Sequence, residues 1–183
     1  MPWSTEIDVL LPNYFQSSQT GLSGFTAVQL GIKHELHDTK TWMLSLEGFI
    51  IPSSGGKNRG TEGMGGYLDS IIAHDLGYNL SFTGLFGVSS QTVSTQSNGQ
   101  RYTSFNPDGV LTWSFKEKWE LLGEVYGQTH TGPAQGSGFN ADAGLIYLPF
   151  KTLAVDLEVS QRLSGQLYGF EQYIGAGMAF RFL

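Results

Sequence analysis

The stretch "LAVDLEVSQR", residues 153–162, alternates apolar and polar side chains without a break. Side chains of a β-strand point alternately to opposite faces of the sheet, so this period of two predicts a strand with one apolar and one charged face. The apolar positions are Leu153, Val155, Leu157 and Val159, and the opposite positions are Ala154, Asp156, Glu158, Ser160 and Arg162. A single layer of sheet therefore has to separate two unlike environments.

The same alternation recurs along all 183 residues, whereas no apolar stripe of helical period persists beyond two turns. It predicts about ten strands, at 4–12, 25–36, 41–51, 67–76, 80–88, 105–115, 119–127, 139–149, 153–162 and 172–183. We expect one all-β domain over residues 1–183. Each strand has roughly 9–12 residues, which is longer than the ~5–6 of an ordinary strand and close to the ~9–11 that cross a bilayer at a tilt.

Short and long connections follow each other in turn along the chain. The short ones are 37–40, 77–79, 116–118 and 150–152, and the long ones are 13–24, 52–66, 89–104, 128–138 and 163–171. All long connections then lie at one end of an up-and-down meander, as in outer-membrane barrels. We predict an up-and-down antiparallel transmembrane β-barrel with its apolar face in the lipid bilayer.

Charged side chains collect on one face of the predicted strands. The face holds twelve acids and three bases, and the opposite face has no Asp, Glu, Lys or Arg. The candidate lumen-lining residues are Glu6, Asp8, Lys33, Glu47, Asp69, Asp108, Glu124, Asp142, Asp156, Glu158, Arg162 and Arg181, with Glu35, Asp75 and Glu120 on the same face. Unpaired buried charges are costly, so an excess of acids predicts a wet, anionic lumen that favours cations.

Aromatic residues are predicted to form two bands, as at the two interfaces of a bilayer. Beside the short turns or at the N-terminal start lie Trp3, Trp42, Trp113 and Trp119. Toward the other end lie Tyr14, Phe15, Tyr67, Tyr102, Phe105, Phe139 and Tyr168. The two bands favour a membrane barrel over a soluble barrel with its apolar face inside.

Composition narrows the class of protein further. The chain is 40% hydrophobic and only 14% charged, against roughly 25% charged residues in an average soluble domain. A formal charge of −6 argues against a nucleic-acid partner, which requires a basic patch. The opening "MPWSTEID" has neither the charged region nor the apolar core of a leader. We expect an outer-membrane location of the Gram-negative type, with the leader absent from this chain.

Motifs for enzymatic or metal chemistry do not stand out. In "HELHD" (34–38) the two histidines point to opposite faces of a strand, and "GGKNRGTEGMGG" (55–66) lacks the order of a phosphate-binding loop. No Gly-x-Ser-x-Gly elbow occurs, so we expect no enzyme, no metal and no cofactor. Basic residues near the long connections, Lys57, Arg59 and Arg101, suggest contact with lipopolysaccharide phosphates.

Several stretches carry a family resemblance. Gly177-x-x-Phe180-x-Phe182 resembles the terminal signal of outer-membrane barrels. Further stretches are "TEIDVLLPNY", "AVQLGIKHEL", "WMLSLEGFIIPSSG", "HDLGYNLSF", "WELLGEVYGQT", "DAGLIYLPFKTLAVDLEVSQRL" and "IGAGMAFRF". Together they resemble the transporter-like outer-membrane barrel family labelled "MetA-pathway of phenol degradation". The resemblance implies movement of hydrophobic or aromatic compounds and assigns no catalytic residue. Family members begin with a further leader and strand pair, so the barrel has either ten strands or twelve with an N-terminal hairpin that this chain lacks.

Three functions are consistent with these features. The first is porin-like passive passage or binding of small solutes through an acid-lined lumen. The second is a non-conducting structural or adhesive barrel whose long loops bind partners. The third is a soluble, lipocalin-like ligand-binding barrel, which would turn the apolar face inward.

Overall fold

The alternating sequence folds into β-strands joined by turns and loops. The computed structural model describes residues 4–12, 14–15, 23–58, 60–93, 99–167 and 171–180. The strands are β1 Thr5–Leu10, β2 Tyr14–Phe15, β3 Gly24–Phe25, β4 Gln29–Asp38, β5 Trp42–Ile51, β6 Gly65–Gly77, β7 Leu80–Thr92, β8 Arg101–Lys116, β9 Trp119–Gln128, β10 Gly138–Phe150, β11 Leu153–Ser164 and β12 Gln172–Phe180. The described part of the chain contains no helix that is long and apolar enough to cross a membrane.

Ten of these strands form one antiparallel sheet. Its order is β1-β4-β5-β6-β7-β8-β9-β10-β11-β12, so each strand pairs with its neighbours along the chain apart from the excursion between β1 and β4. That excursion contains β2 and β3, which pair only with each other and were not predicted. The predicted all-β, ten-stranded, up-and-down antiparallel arrangement is confirmed.

In the described residues, the two outer strands of the sheet do not pair with each other as they would in the predicted closed barrel. Among the described residues, β1 pairs only with β4 and β12 only with β11, so the sheet is curled but open between them. β1 has six residues, fewer than the nine of β12, and therefore offers a shorter edge for closure. Curling is nevertheless strong, because Leu10 of β1 and Leu167 after β11 line the same cavity.

Tight turns join the strands at one end of the sheet. Between β6 and β7 the turn residues Tyr78 and Asn79 have φ angles of 55° and 60°. Two successive residues with positive φ are the mark of a type I′ turn, whose twist matches that of the flanking strands. The strand bounds place short connections after β4, β6, β8 and β10 and longer ones after β5, β7, β9 and β11, as predicted.

The usual arrangement of apolar and polar side chains is inverted. Polar residues dominate the buried set, which includes Ser45, Asp69, Ser89, Thr92, Ser104, Asn140, Asp142 and Ser160. Large apolar residues are exposed along the strands, among them Ile7, Ile32, Leu68, Phe86, Leu111, Val125, Leu157 and Ile174. Burial of apolar surface normally drives folding in water, whereas here much of the apolar surface lies on the outside of the sheet.

Two residues test the predicted assignment of faces directly. Leu157 is 53% exposed and Phe180 is 58% exposed, while Ser160 on the opposite face of β11 is 5% exposed. Asp156 and Glu158 are half-buried. The apolar face of "LAVDLEVSQR" is therefore on the outside of the curled sheet and the carboxylates are on its concave side.

The aromatic bands are only partly as predicted. At the short-turn end, Trp42 stacks on His74 at a centroid distance of 3.9 Å, and Trp119 packs at 4.5 Å from Tyr147. At the opposite end Tyr67 and Tyr102 line the interior cavity, so assigning them to the outer band was wrong. Tyr67 is two residues from Asp69, and Tyr102 is six residues from Asp108. Side chains an even number of residues apart on a strand point to the same face, so both tyrosines share the face of the inward acids. Trp3 and Tyr168 and the side chain of Phe15 lie outside the described residues.

Candidate functional site: the enclosed acidic face

One row of charged residues crosses four neighbouring strands. Glu6 is the register partner of Lys33, Lys33 of Glu47, and Glu47 of Asp69. Direct partners in an antiparallel ladder point to the same face, so all four lie on the concave side. Lys33 separates two acids, but the next step of the row places Glu47 beside Asp69 without an intervening base.

A second row contains two acids and two neutral donors. Glu124 is the register partner of Asp142, Asp142 of Ser160, and Ser160 of Tyr173. The Ser160 hydroxyl donates a hydrogen bond to Asp142 Oδ1. The Tyr173 hydroxyl lies 3.2 Å from Asp142 Oδ2 and also contacts Glu158 Oε1. Hydroxyl groups therefore stabilise carboxylates in this part of the interior.

The predicted lumen-lining residues differ in burial. Asp69 and Asp142 are buried. Half-buried residues are Asp8, Lys33, Glu47, Asp108, Glu124, Asp156, Glu158 and Arg162. Glu6 is exposed, because β1 is an outer strand that has no neighbour on its far side in the described part of the chain. Arg181 lies outside the described residues.

The predicted basic residues have identifiable surroundings. Arg162 Nη1 lies 3.8 Å from Glu171 Oε1, so it forms an ion pair with an acid of the last long connection. Arg101 donates to Ser90 Oγ at 3.0 Å and to the carbonyl of Met64, which ties β8 to the connection after β5. Lys57 is exposed, and Arg59 lies outside the described residues.

A cavity of about 480 Å³ opens among the strand ends near the long connections. Its polar lining residues include Asp69, Asp108, Asn106, Tyr67, Tyr102 and Tyr126. Its apolar lining includes Leu10, Ile51, Leu85 and Leu167. The two acids were predicted for the inner face, and Tyr126 was predicted to share the polar face of Glu120 and Glu124. Only Tyr67 and Tyr102 were assigned to the outside.

The cavity residues are held by specific contacts. Tyr67 stacks on Phe49 at a centroid distance of 4.8 Å, and its hydroxyl donates to Gln29 Oε1 at 3.1 Å. Asn140 Nδ2 donates to the Tyr126 hydroxyl at 3.3 Å. Leu167, from the connection after β11, is 1% exposed and lies against this space. The wall is thus a fixed surface into which one loop residue projects.

The acids of this interior are not clustered as metal ligands in the part of the chain that the structure describes. Within the described ranges, no three His, Cys, Asp or Glu side chains are grouped so that they could hold a metal ion. The acids are instead spread along the two cross-strand rows. Such a spacing suits a diffuse negative field better than a coordination sphere.

Comparison with known proteins gives one match. A family model described as "Putative MetA-pathway of phenol degradation" matches residues 3–182. No curated protein and no solved structure matches the chain. The match covers nearly the whole chain and agrees with the resemblance seen in the strand motifs.

Proposed function

This chain belongs to the MetA-pathway of phenol degradation family, and from that premise we propose that it is an outer-membrane β-barrel for passive passage of small solutes. The solutes would cross or bind through the acid-lined interior. The proposed role includes no catalytic step. A bilayer would cover the outer face, and Lys57 at a long connection would be placed to meet lipopolysaccharide phosphates.

The observation that carries the proposal is the inverted distribution of side chains. Large apolar residues are exposed from β1 to β12, while Asp69, Asn140 and Asp142 are buried. Monomeric soluble proteins rarely expose continuous apolar patches larger than a few hundred Å². A hydrocarbon environment is favourable for this outer face, whereas water is not.

Strand length supports the same environment. β4, β5 and β9 each have ten residues. At about 3.3 Å per residue such a strand is about 33 Å long, and a tilt of about 40° gives a height of about 25 Å. The apolar band of outer-membrane barrels has a height of about 25 Å.

The interior suits polar or cationic solutes. Acids outnumber bases on the concave face, and rings of acidic side chains favour cations in channels. The lipocalin-like alternative requires the apolar face inside, and the exposure of Leu157 and Phe180 argues against it.

Reconstitution tests the proposal. The protein would be refolded into liposomes and planar bilayers, and conductance and reversal potential would be measured in a salt gradient. We expect cation-selective conductance that Glu124→Gln, Asp142→Asn and Asp156→Asn together reduce. The matched control neutralises three exposed acids, Asp38, Glu62 and Glu117, and should leave selectivity unchanged. A folded, inserted protein with neither conductance nor solute flux would contradict passage and favour the structural or adhesive barrel.

A further inference from the structure

We propose that the cavity near the long connections is a saturable binding site for an organic cation, meaning a protonated amine on an aromatic or apolar body. This inference rests on the proposed function, since it assigns a ligand class to the mouth of the same interior. Four features of the cavity carry it: unpartnered acceptors, an absence of basic lining residues, tyrosine rings and an apolar wall.

Three of the residues that line the cavity carry a buried acceptor atom without a donor. Asp69 is only 5% exposed, and its Oδ1 has no hydrogen-bond partner among the described residues. Buried Oδ1 atoms of Asn106 and Asp108 likewise have no partner in that part of the chain. Most buried polar groups in proteins are hydrogen-bonded, so three unpartnered acceptors around one cavity indicate a missing donor.

The sheet register brings these acceptors together. Gly87 lies between Asp69 and Asn106 as the register partner of both. Neighbouring strands are about 4.8 Å apart, so the Cα atoms of Asp69 and Asn106 are about 10 Å apart with no side chain between them. Asp108 follows on the same face of β8. The Asp69 carboxylate lies over Gly87, where an added Cβ atom would overlap Oδ1, so it extends from β6 toward the acceptors of β8.

The charge of the lining selects the ligand class. Two carboxylates line the cavity, and none of the described residues that line it is Lys or Arg. Enclosed carboxylates are unfavourable without a compensating charge or hydrogen-bond donors. A cationic ligand would supply both, whereas an anion would be repelled.

The remaining walls define the body of the ligand. Tyr67, Tyr102 and Tyr126 line the space, and aromatic faces attract ammonium groups within about 6 Å. Leu10, Ile51, Leu85 and Leu167 provide apolar contact. A volume of about 480 Å³ falls in the range of pockets for small organic molecules. No described trio of acids or histidines is arranged for a metal, which separates this site from one for a bare divalent ion.

A charge series of nearly equal shape tests the ligand class. Isothermal titration calorimetry of the refolded full chain would compare 2-phenylethylammonium, 2-phenylethanol and phenylacetate. We expect saturable binding of the ammonium compound, at least about tenfold weaker binding of the alcohol, and none of the carboxylate. Equal binding of all three, or preference for the alcohol or the carboxylate, would overturn the inference.

Variants locate the site. Asp69→Asn and Asp108→Asn should each weaken binding of the ammonium compound about tenfold or more, while Asp38→Asn, an exposed acid at the short-turn end, should not. Circular dichroism and resistance to unfolding on gels check that each variant is folded. The comparison of the three ligands is made on the unaltered protein, so it tests the ligand class even if a variant fails to fold.

The two proposals fail in different ways. Conductance without any saturable binding overturns the binding site and leaves passage intact. Saturable binding without conductance or flux contradicts passage of solutes. The cavity would then be a binding site that does not lie at the mouth of a solute path.

Discussion

The ring of Phe49 lies directly over the Cα of Gly31, its neighbour across the β4–β5 ladder. A Cβ atom added to Gly31 would overlap three ring atoms, so a side chain there requires Phe49 to move. Phe49 in turn stacks on Tyr67, and Tyr67 bonds to Gln29. One missing side chain thus permits the aromatic packing beside the cavity.

Gly31→Ala should therefore destabilise the protein by about 1–3 kcal/mol, the usual effect of overpacking a close contact. Gly48→Ala is the matched control, because the nearest atom to its added Cβ is Leu68 Cδ1 at 3.6 Å, an ordinary contact. Urea unfolding from liposomes, followed by tryptophan fluorescence, measures both. Equal stability of the two variants would contradict the close packing of Phe49 on Gly31.

Leu157→Lys distinguishes a lipid-facing surface from a water-facing one. In a bilayer the charge should reduce the free energy of unfolding by about 2–4 kcal/mol near the midplane, whereas an exposed position in water would change it by about 0.5 kcal/mol at most. Leu163 shares this face nearer the long connections, and Leu163→Lys should cause a loss of only about 0–1 kcal/mol. Equilibrium unfolding from liposomes gives the comparison, and a missing depth dependence would count against insertion.

Leu167→Ala should enlarge the cavity and increase conductance. Leu167 is 1% exposed and projects from the last long connection, so truncation removes bulk from the space without breaking a strand ladder. Leu163→Ala, which truncates an exposed leucine of β11, is the control. Single-channel recording in planar bilayers measures the change. Conductance that is unaltered in both variants would show that Leu167 does not restrict the path.

Tyr173→Phe should destabilise the second acidic row. The hydroxyl contacts Asp142 and Glu158, and a buried acceptor that loses its donor loses about 1–3 kcal/mol of stability. Tyr78→Phe, at a turn residue that is 99% exposed, should have an effect within about 0.5 kcal/mol. Thermal unfolding in detergent compares the two, and similar values would mean that the Tyr173 hydroxyl adds no net stability.

Much of the sheet is predictable because the apolar face leaves a period-two signal in each strand. The strand predicted at 153–162 is Leu153–Ser164, and the one predicted at 119–127 is Trp119–Gln128. The signal is lost toward the long connections. β7 was expected to end at residue 88 but continues to Thr92, and β8 begins at Arg101 rather than 105.

The reason lies in the ladder itself. Ser89–Thr92 pair with Arg101–Ser104 through backbone hydrogen bonds, which do not require alternating hydrophobicity. Ser104 and Thr129 add side-chain bonds to the backbone N–H groups of His130 and Phe105 at 3.1 and 3.0 Å. Polar strand ends of this kind have the composition of loops, so a hydrophobic pattern cannot identify them.

The site was less predictable than the fold. Alternation placed Asp69 and Asp108 on the concave face, but it does not describe how far apart they are or what stands between them. The position of Gly87 between Asp69 and Asn106, which leaves room for the Asp69 carboxylate, depends on the register of three strands. Tyr67 and Tyr102 were assigned to the outer aromatic band because they lie near strand ends, although the alternation of side chains along each strand puts them on the same face as the inward acids.

The pairing order of the sheet bears on how the chain folds. Eight of its nine ladders join strands that are consecutive in the chain, and only the ladder between β1 and β4 spans an intervening hairpin. The entropy lost on closing a connection rises with its length, so a ladder between consecutive strands costs less to close than one that spans an intervening hairpin. Assembly can therefore proceed one hairpin at a time, with the β1–β4 ladder as the step that closes the longest loop.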